Sequence, residues 1–289
     1  MTPRLSFDAP PSVAACYLRA ALDRRPRRLP PGGGRVAIEA AAAALRADPG
    51  RLEAYRQVCG LPDGDELPLT YPHVMAGGVH MAMLLHPEFP VRLLGLVHLA
   101  NDIELLRPLP VAASLALECR LEAGRSKARG DEFQLVTEAR HEGEPAWRET
   151  MRFLAPAPRK GRRRPVEAPV LPPVVATWDL PAGTGRSYAR VSGDWNPIHL
   201  AAMAARPFGF PRAIAHGMWS LGRCLGGLAP TSPAAGARLE ARFLKPLLLP
   251  GRVELRAGTP EEDGTRPYWL VSAADQTPHL KGSWRPGPA

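Results

Sequence analysis

Asp194, Asn196 and His199 stand within six residues of one another, in the run Ser187-Tyr188-Ala189-Arg190-Val191-Ser192-Gly193-Asp194-Trp195-Asn196-Pro197-Ile198-His199. A carboxylate, a carboxamide and an imidazole so close together can hold a water molecule and move its proton, which is general acid–base chemistry. Asn196-Pro197 reads as a helix start, because Asn caps free backbone N–H groups and Pro at the first helical position loses no hydrogen bond. His199 then falls in the first turn, where its ring can point back to the loop carrying Asp194. The positive helix end there favours neutral imidazole, which suits a proton acceptor. Gly193 allows the tight turn that brings Asp194 alongside. Taken singly, an Asp turn or a solvent-facing His is ordinary surface structure; three such groups around one helix start point to a site.

A second helix start follows at Ala213-Ile214-Ala215-His216-Gly217-Met218-Trp219. A helix N-terminus offers unpaired N–H groups, and glycine lets a ligand approach the backbone closely. A thioester carbonyl held at Gly217 would have its developing enolate stabilised, which is usually a large catalytic effect. Gly217 serves equally as a small residue for helix–sheet packing, and His216 reads more readily as a structural histidine than as a proton shuttle. Together the two segments supply what is needed to hold one water against a polarised acyl thioester.

The elements that must position these groups fall into two halves. In the first, residues 13–22 and 36–61 have helical composition, with apolar residues at spacings of three and four. Residues 71–85 form an apolar helix, hydrophobic around its girth and hence buried. Strands are expected over 95–105, 112–122, 132–141 and 146–153, separated by short polar or Gly-containing turns. The second half repeats the plan: a strand at 174–180, the Asp-Asn-His segment, a buried-type helix over 214–228, and strands at 237–243, 252–257, 268–273 and 279–284. Glu104-Leu105-Leu106-Arg107-Pro108-Leu109-Pro110 and Arg242-Phe243-Leu244-Lys245-Pro246-Leu247-Leu248-Leu249-Pro250 form a weak internal echo. The expected fold is α+β, a curved antiparallel sheet wrapped around a long apolar helix, present twice.

Composition narrows the classes. A chain of 289 residues accommodates two modest domains. No apolar run reaches the roughly 20 residues that span a bilayer, and the N-terminal residues lack the apolar core of a secretory signal. Cys16, Cys59, Cys119 and Cys224 are scattered, which argues against a disulfide framework or zinc site and fits reduced thiols in the cytoplasm. The net charge of +9 owes much to Arg159, Lys160, Arg162, Arg163 and Arg164 in one proline-flanked run. That run reads as a solvated linker over 156–173, between an N-terminal domain (1–155) and a C-terminal one (174–289), and not as a nucleic-acid surface. It could also attract an acidic carrier protein or the phosphates of coenzyme A.

Tyr188 to His199, followed by Phe208-Gly209-Phe210-Pro211-Arg212-Ala213-Ile214-Ala215-His216-Gly217-Met218, resembles the signature of MaoC-like dehydratases, the (R)-specific or type-2 enoyl-CoA hydratases of the hotdog fold. Phe243 to Gly251 is similar to the family's following strand and turn. The resemblance covers roughly residues 175–257, whereas the first half looks like the degenerate N-terminal hotdog of two-domain members and has no Asp-x-Asn-Pro-x-His. It implies a tandem double hotdog and reversible hydration of a trans-2-enoyl thioester to a (3R)-3-hydroxyacyl thioester. Asp194 and His199 would be the catalytic pair, Asn196 would orient the site, and the Gly217 N–H, beside His216, would bind the thioester oxygen. No metal or other cofactor is implied. The substrate would be an acyl-CoA or acyl-carrier-protein thioester, whose phosphates Arg242 and Lys245 could meet, although simple surface charge explains both as well. Alternatives within the same scaffold are a non-catalytic acyl-thioester-binding module and a hotdog thioesterase. Pairing into a homodimer is left open.

The first half then reads as a wall that shapes the acyl-chain pocket without catalysing. His73, His80 and His86 lie on or beside its apolar helix, but with no carboxylates nearby in sequence they do not read as a metal site. Gly77-Gly78 costs that helix about 1 kcal/mol per glycine relative to alanine, which implies close packing or room for an acyl chain.

Overall fold

A computed structural model describes residues 2–26, 29, 36–127, 129–157, 170–229 and 233–288. The basic run from Arg159 to Arg164, with most of the expected linker, lies outside the described residues.

The chain begins with β1 (Arg4–Phe7) and α1 (Val13–Ala21), continues through β2 (Ala37–Leu45) and α2 (Pro49–Cys59), and reaches the long apolar helix α3 (Tyr71–Leu84). Four strands follow: β3 (Val97–Leu105), β4 (Leu115–Lys127), β5 (Gly130–His141) and β6 (Glu144–Pro156). The second half runs β7 (Val174–Leu180), α4 (Thr184–Ser192), a single 3₁₀ turn at Pro197–His199, the short α5 (Ala202–Ala205), α6 (Gly217–Leu228), then β8 (Arg238–Phe243), β9 (Gly251–Ala257), β10 (Arg266–Ser272) and β11 (Pro278–Arg285). No helix among the described residues is long and apolar enough to cross a membrane.

Among the described residues, all eleven strands belong to one curved sheet, in the order β1-β2-β4-β5-β6-β3-β8-β11-β10-β9-β7. The first six come from the first half, with β2, β4 and β5 against α3; the last five come from the second half, with α6 against β8. The seam is the antiparallel pair β3–β8, with Ala100 opposite Arg242 and Ile103 opposite Leu239. Asp102 and Arg238 make a two-bonded ion pair across it at 2.5 and 3.0 Å. The two-fold α+β plan, a double hotdog, is therefore present, closed into a continuous sheet. Both central helices face the same interior, and α2 lies against α4 and α6, so the halves share one core.

One expected element is corrected. Residues 36–61 are not helical throughout: Ala37–Leu45 is a strand, and only Pro49–Cys59 is a helix. Ala favours helices, but Ile38, Ala40 and Ala42 alternate inward with period two, and tertiary pairing with β4 overrides the propensity. The helix begins where Asp48 caps the Arg51 N–H at 2.7 Å ahead of Pro49. Gly78 accounts for the double glycine in α3, since a Cβ there would collide with the Pro11 backbone carbonyl, and Gly77 faces Val13. The pair thus lets the N-terminal segment leading into α1 lie directly on α3.

Candidate active site

The Asp-Asn-His segment is held by helix ends, as its residue types require. Helix α4 stops at Gly193, whose φ of +78° is a left-handed cap that side-chain-bearing residues rarely adopt. The chain then doubles back, and the Asp194 N–H donates to Ser192 Oγ at 3.1 Å while Asp194 Oδ1 accepts the Asn196 N–H at 3.1 Å. Asn196 caps the 3₁₀ turn, its Oδ1 accepting from the Ile198 N–H at 3.4 Å. The expected helix is thus a single turn, because Leu200 closes it and α5 starts afresh at Ala202. It is nonetheless long enough to carry His199 inward.

His199 donates from Nδ1 to the Ile214 carbonyl at 2.8 Å, which fixes the tautomer and leaves Nε2 as the lone-pair nitrogen. Its ring stacks on His216 with centroids 3.7 Å apart. His216 in turn donates from Nε2 to the Asp194 carbonyl at 2.9 Å, with Asp194 Oδ2 3.8 Å away. Burial, reinforced by the neighbouring His216, pushes His199 down to about 3, so it is a neutral imidazole across the physiological range. Burial also lowers His216. For Asp194 burial acts upward, but His216, His199 and a phenol hydrogen bond outweigh it and hold the carboxyl below its usual range.

That phenol belongs to Tyr17 on α1, which donates to Asp194 Oδ1 at 2.6 Å across 177 positions of sequence. Burial beside Asp194 raises Tyr17 well above the ordinary phenol value, so it remains a donor. Sequence reading missed Tyr17 because nothing local marks it.

Asp194, Asn196, His199, His216 and Gly217 all line one cavity of about 500 Å³. Gly217 is the first residue of α6, with extended His216 as its N-cap, so the helix start expected there is present. A Cβ on Gly217 would lie 3.0 Å from the Phe243 ring, so glycine keeps this wall open. The expected pair of basic residues is split. Exposed Lys245 lines the cavity beside His279, whereas Arg242 lies on the outer face of the sheet, in a separate cleft with Arg152 and Lys281. Strand alternation makes the difference: Ala241 points in and Arg242 out.

The first half contributes more than apolar wall. His73, His80 and His98 also line the cavity. His73 Nδ1 meets both oxygens of the fully buried Glu149 at 2.9 and 3.1 Å, and Asn101 Nδ2 donates to Glu149 Oε1 at 2.7 Å. The sequence showed no carboxylate near His73, His80 and His86; the structure brings Glu149 of β6 to His73 and His80. The inward alternation Trp147, Glu149, Met151 was its available signal, since it places a charge where an apolar residue is expected. Two groups, Asp194–His199–His216 and His73–His80–Glu149, bring ligand-type atoms within 4.8 Å of one another. In each, ring nitrogens are already committed to protein partners: His199 and His216 to carbonyls, His73 to Glu149, and His80 to Thr137 at 2.7 Å.

Residues 162–266 match the MaoC like domain. The chain is 34% identical over 245 residues to 3-hydroxyacyl-thioester dehydratase X of Mycobacterium tuberculosis, covering 83% of this chain and 86% of that protein. It belongs to the MaoC-like dehydratase family. The crystal structure of HtdX from the same organism superposes with a TM-score of 0.74 at 32% identity, over 88% of this chain and 100% of the other. Peroxisomal enoyl-CoA hydratase 2 of Arabidopsis thaliana is 28% identical over 170 residues, 52% of this chain and 55% of that protein. The MaoC-like match spans the Asp194, His199 and Gly217 segments, while the relative from M. tuberculosis extends the likeness over both halves.

Proposed function

We propose that the protein is an (R)-specific enoyl-thioester hydratase and 3-hydroxyacyl-thioester dehydratase of fatty-acid or related acyl metabolism. Its substrate would be the thioester of coenzyme A or of a carrier protein, and water would add reversibly and syn across the trans-2 double bond. The observation that carries this reading is the convergence on one cavity of the Asp194 carboxylate, neutral His199 and the helix start at Gly217. In hydration, a water between Asp194 and His199 Nε2 gives up a proton to one of them as its oxygen bonds to C3. The electron pair of the double bond moves toward the thioester oxygen, which the Gly217 N–H would bind, and the proton taken from water is returned to C2 on the same side. Dehydration is the reverse. Asn196 keeps Asp194 and the 3₁₀ turn in register, and Tyr17 positions the carboxylate.

On this reading residues 174–289 form the catalytic unit, residues 1–155 the pocket wall, and 156–173 the connection. Two chains could pair further, which sedimentation would reveal. The test is the absorbance of the conjugated enoyl thioester with purified protein, wild type and Asp194→Asn or His199→Ala. Loss of absorbance without thiol release, reduced about 10²–10⁴-fold in either folded variant, is expected. Thiol release would indicate a thioesterase, binding without turnover a non-catalytic module, and unchanged activity in either variant would remove these residues from the mechanism.

A further inference from the structure

The polar group on the first-half wall has no task in the hydration chemistry. Glu149 holds His73 by Nδ1, leaving Nε2 with no hydrogen-bond partner among the described residues, on a side chain that lines the cavity and is 19% exposed. A carboxylate-oriented imidazole presents its far nitrogen to the cavity as a directed hydrogen-bonding atom, an acceptor in the neutral ring and a donor in the protonated ring that the Glu149 charge favours. His98 stands on the same wall. A β-bulge between His98 and Ala100 shifts the register of β3, so that His98 faces the cavity although Asn101, three residues on, also faces inward. His98 Nε2 donates to the Ala100 carbonyl at 3.1 Å, and the ring is stacked on Phe153, so Nδ1 is an acceptor held in place. Around them the wall carries Met81, Leu84, Leu93 and Leu96, while His80 is tied to Thr137 and Tyr17 to Asp194.

A plain hydrocarbon chain lying here would displace water from two hydrogen-bonding nitrogens and satisfy neither, which is costly. Leucine at these positions would serve such a chain better. We propose, building on the hydratase reading, that the His73–Glu149 pair and His98 form a binding site for an uncharged oxygen, a hydroxyl or carbonyl, carried on the acyl chain away from the thioester. The ligand is uncharged because Glu149 offsets any positive charge on His73, and the Asp194 carboxylate is close enough to act on His73 as well. A chain-borne carboxylate would meet two negative charges for one positive. Burial holds His98 down at about 4, consistent with an unprotonated acceptor. The favoured substrates are then acyl thioesters already oxygenated farther along the chain, so the reaction that supplies them must install or retain a keto or hydroxyl group beyond C4.

The test uses trans-2-decenoyl-CoA beside analogues bearing one oxo or hydroxyl group at successive carbons beyond C4, and an analogue ending in a carboxylate. The expected result is one position at which kcat/KM exceeds that of the plain ester by about tenfold, the equivalent of one hydrogen bond. The ratio collapses in His73→Leu and is partly kept in His73→Gln, which retains an N–H donor. If His73→Leu does not fold, as judged by circular dichroism, the wild-type ratio and His73→Gln decide. Equal rates for plain and oxygenated esters, a ratio that survives in His73→Leu, or a preference for the carboxylate would each overturn the proposal. If the wild type hydrates none of the esters, the hydratase reading falls. Calorimetric titration of saturated plain and oxygenated acyl-CoA then decides this one, with equal Kd values refuting it.

Discussion

Replacing Tyr17 by Phe removes one oxygen from the site and leaves the ring in place. The lost group donates to Asp194 Oδ1 at 2.6 Å. A hydrogen bond to a charged acceptor contributes about 1.5–3 kcal/mol when neither partner can turn to water. The Asp194 side chain is 36% exposed, so water recovers part of this, and a loss of ~1 kcal/mol remains. That corresponds to about a fivefold fall in kcat/KM. The loss is expected to depend on pH. Burial raises Asp194, while His216, His199 and the Tyr17 hydrogen bond lower it further than burial lifts it. Without Tyr17 the carboxyl protonates at a higher pH, so the acid limb of the rate profile moves up and the deficit grows as pH falls. The assay is enoyl-CoA hydration from neutral pH down through the ordinary carboxylate range, about pH 7 to 3. An unshifted acid limb with unchanged kcat/KM would refute the positioning role. A uniform loss accompanied by a lower Tm would show that α1 had merely detached.

Three further outcomes are expected. Gly217→Ala puts a methyl 3.0 Å from Phe243 and crowds the helix start, so turnover should fall while Tm changes little, and Phe243→Leu should restore part of the rate. Lys245→Ala should raise KM for CoA esters with little change in kcat, whereas Arg242→Ala, on the outer face, should leave KM alone; equal effects would reject the assignment. Glu149→Gln should flatten the pH dependence of Tm. Burial raises Glu149, but His73 and Asn101 lower it more, so its stabilisation is present above the ordinary carboxylate value and lost as pH falls. Burial lowers His73, but Glu149 raises it more, so its stabilisation is present below the ordinary imidazole value and lost as pH rises. Stability from the pair therefore peaks between the two, and an unaltered Tm profile in Glu149→Gln would show that the pair contributes nothing.

The second half was largely legible in the sequence because its signals are local. Val174–Leu180 is a strand over its whole expected length, α6 starts at Gly217, and Gly193 takes the left-handed turn that its position demanded. Local signals failed in two ways. The alanines of β2 carry helix propensity, and only their pairing with β4 reveals the strand. Tyr17 and Glu149 act through partners 177 and 76 positions away, and no window along the chain contains both members of either pair. Arg242 and Lys245, three apart and alike in charge, lie on opposite sides of a wall because one belongs to a pleated strand and the other to the loop beyond it.

The β3–β8 seam changes what selection can do with this architecture. Two identical chains joined by a two-fold axis would carry every substitution twice, once on each side of the shared interior. Here the two sides of the interior are written separately, 136 positions apart at the Ile103–Leu239 contact, taking 239 minus 103. One copy can therefore lose its acid–base residues and acquire a histidine–glutamate pair without altering the other. Broken symmetry, rather than added stability, is what covalent linkage supplies: on the proposed reading, one end reacts, one end recognises, and an acyl chain can lie between them in only one direction.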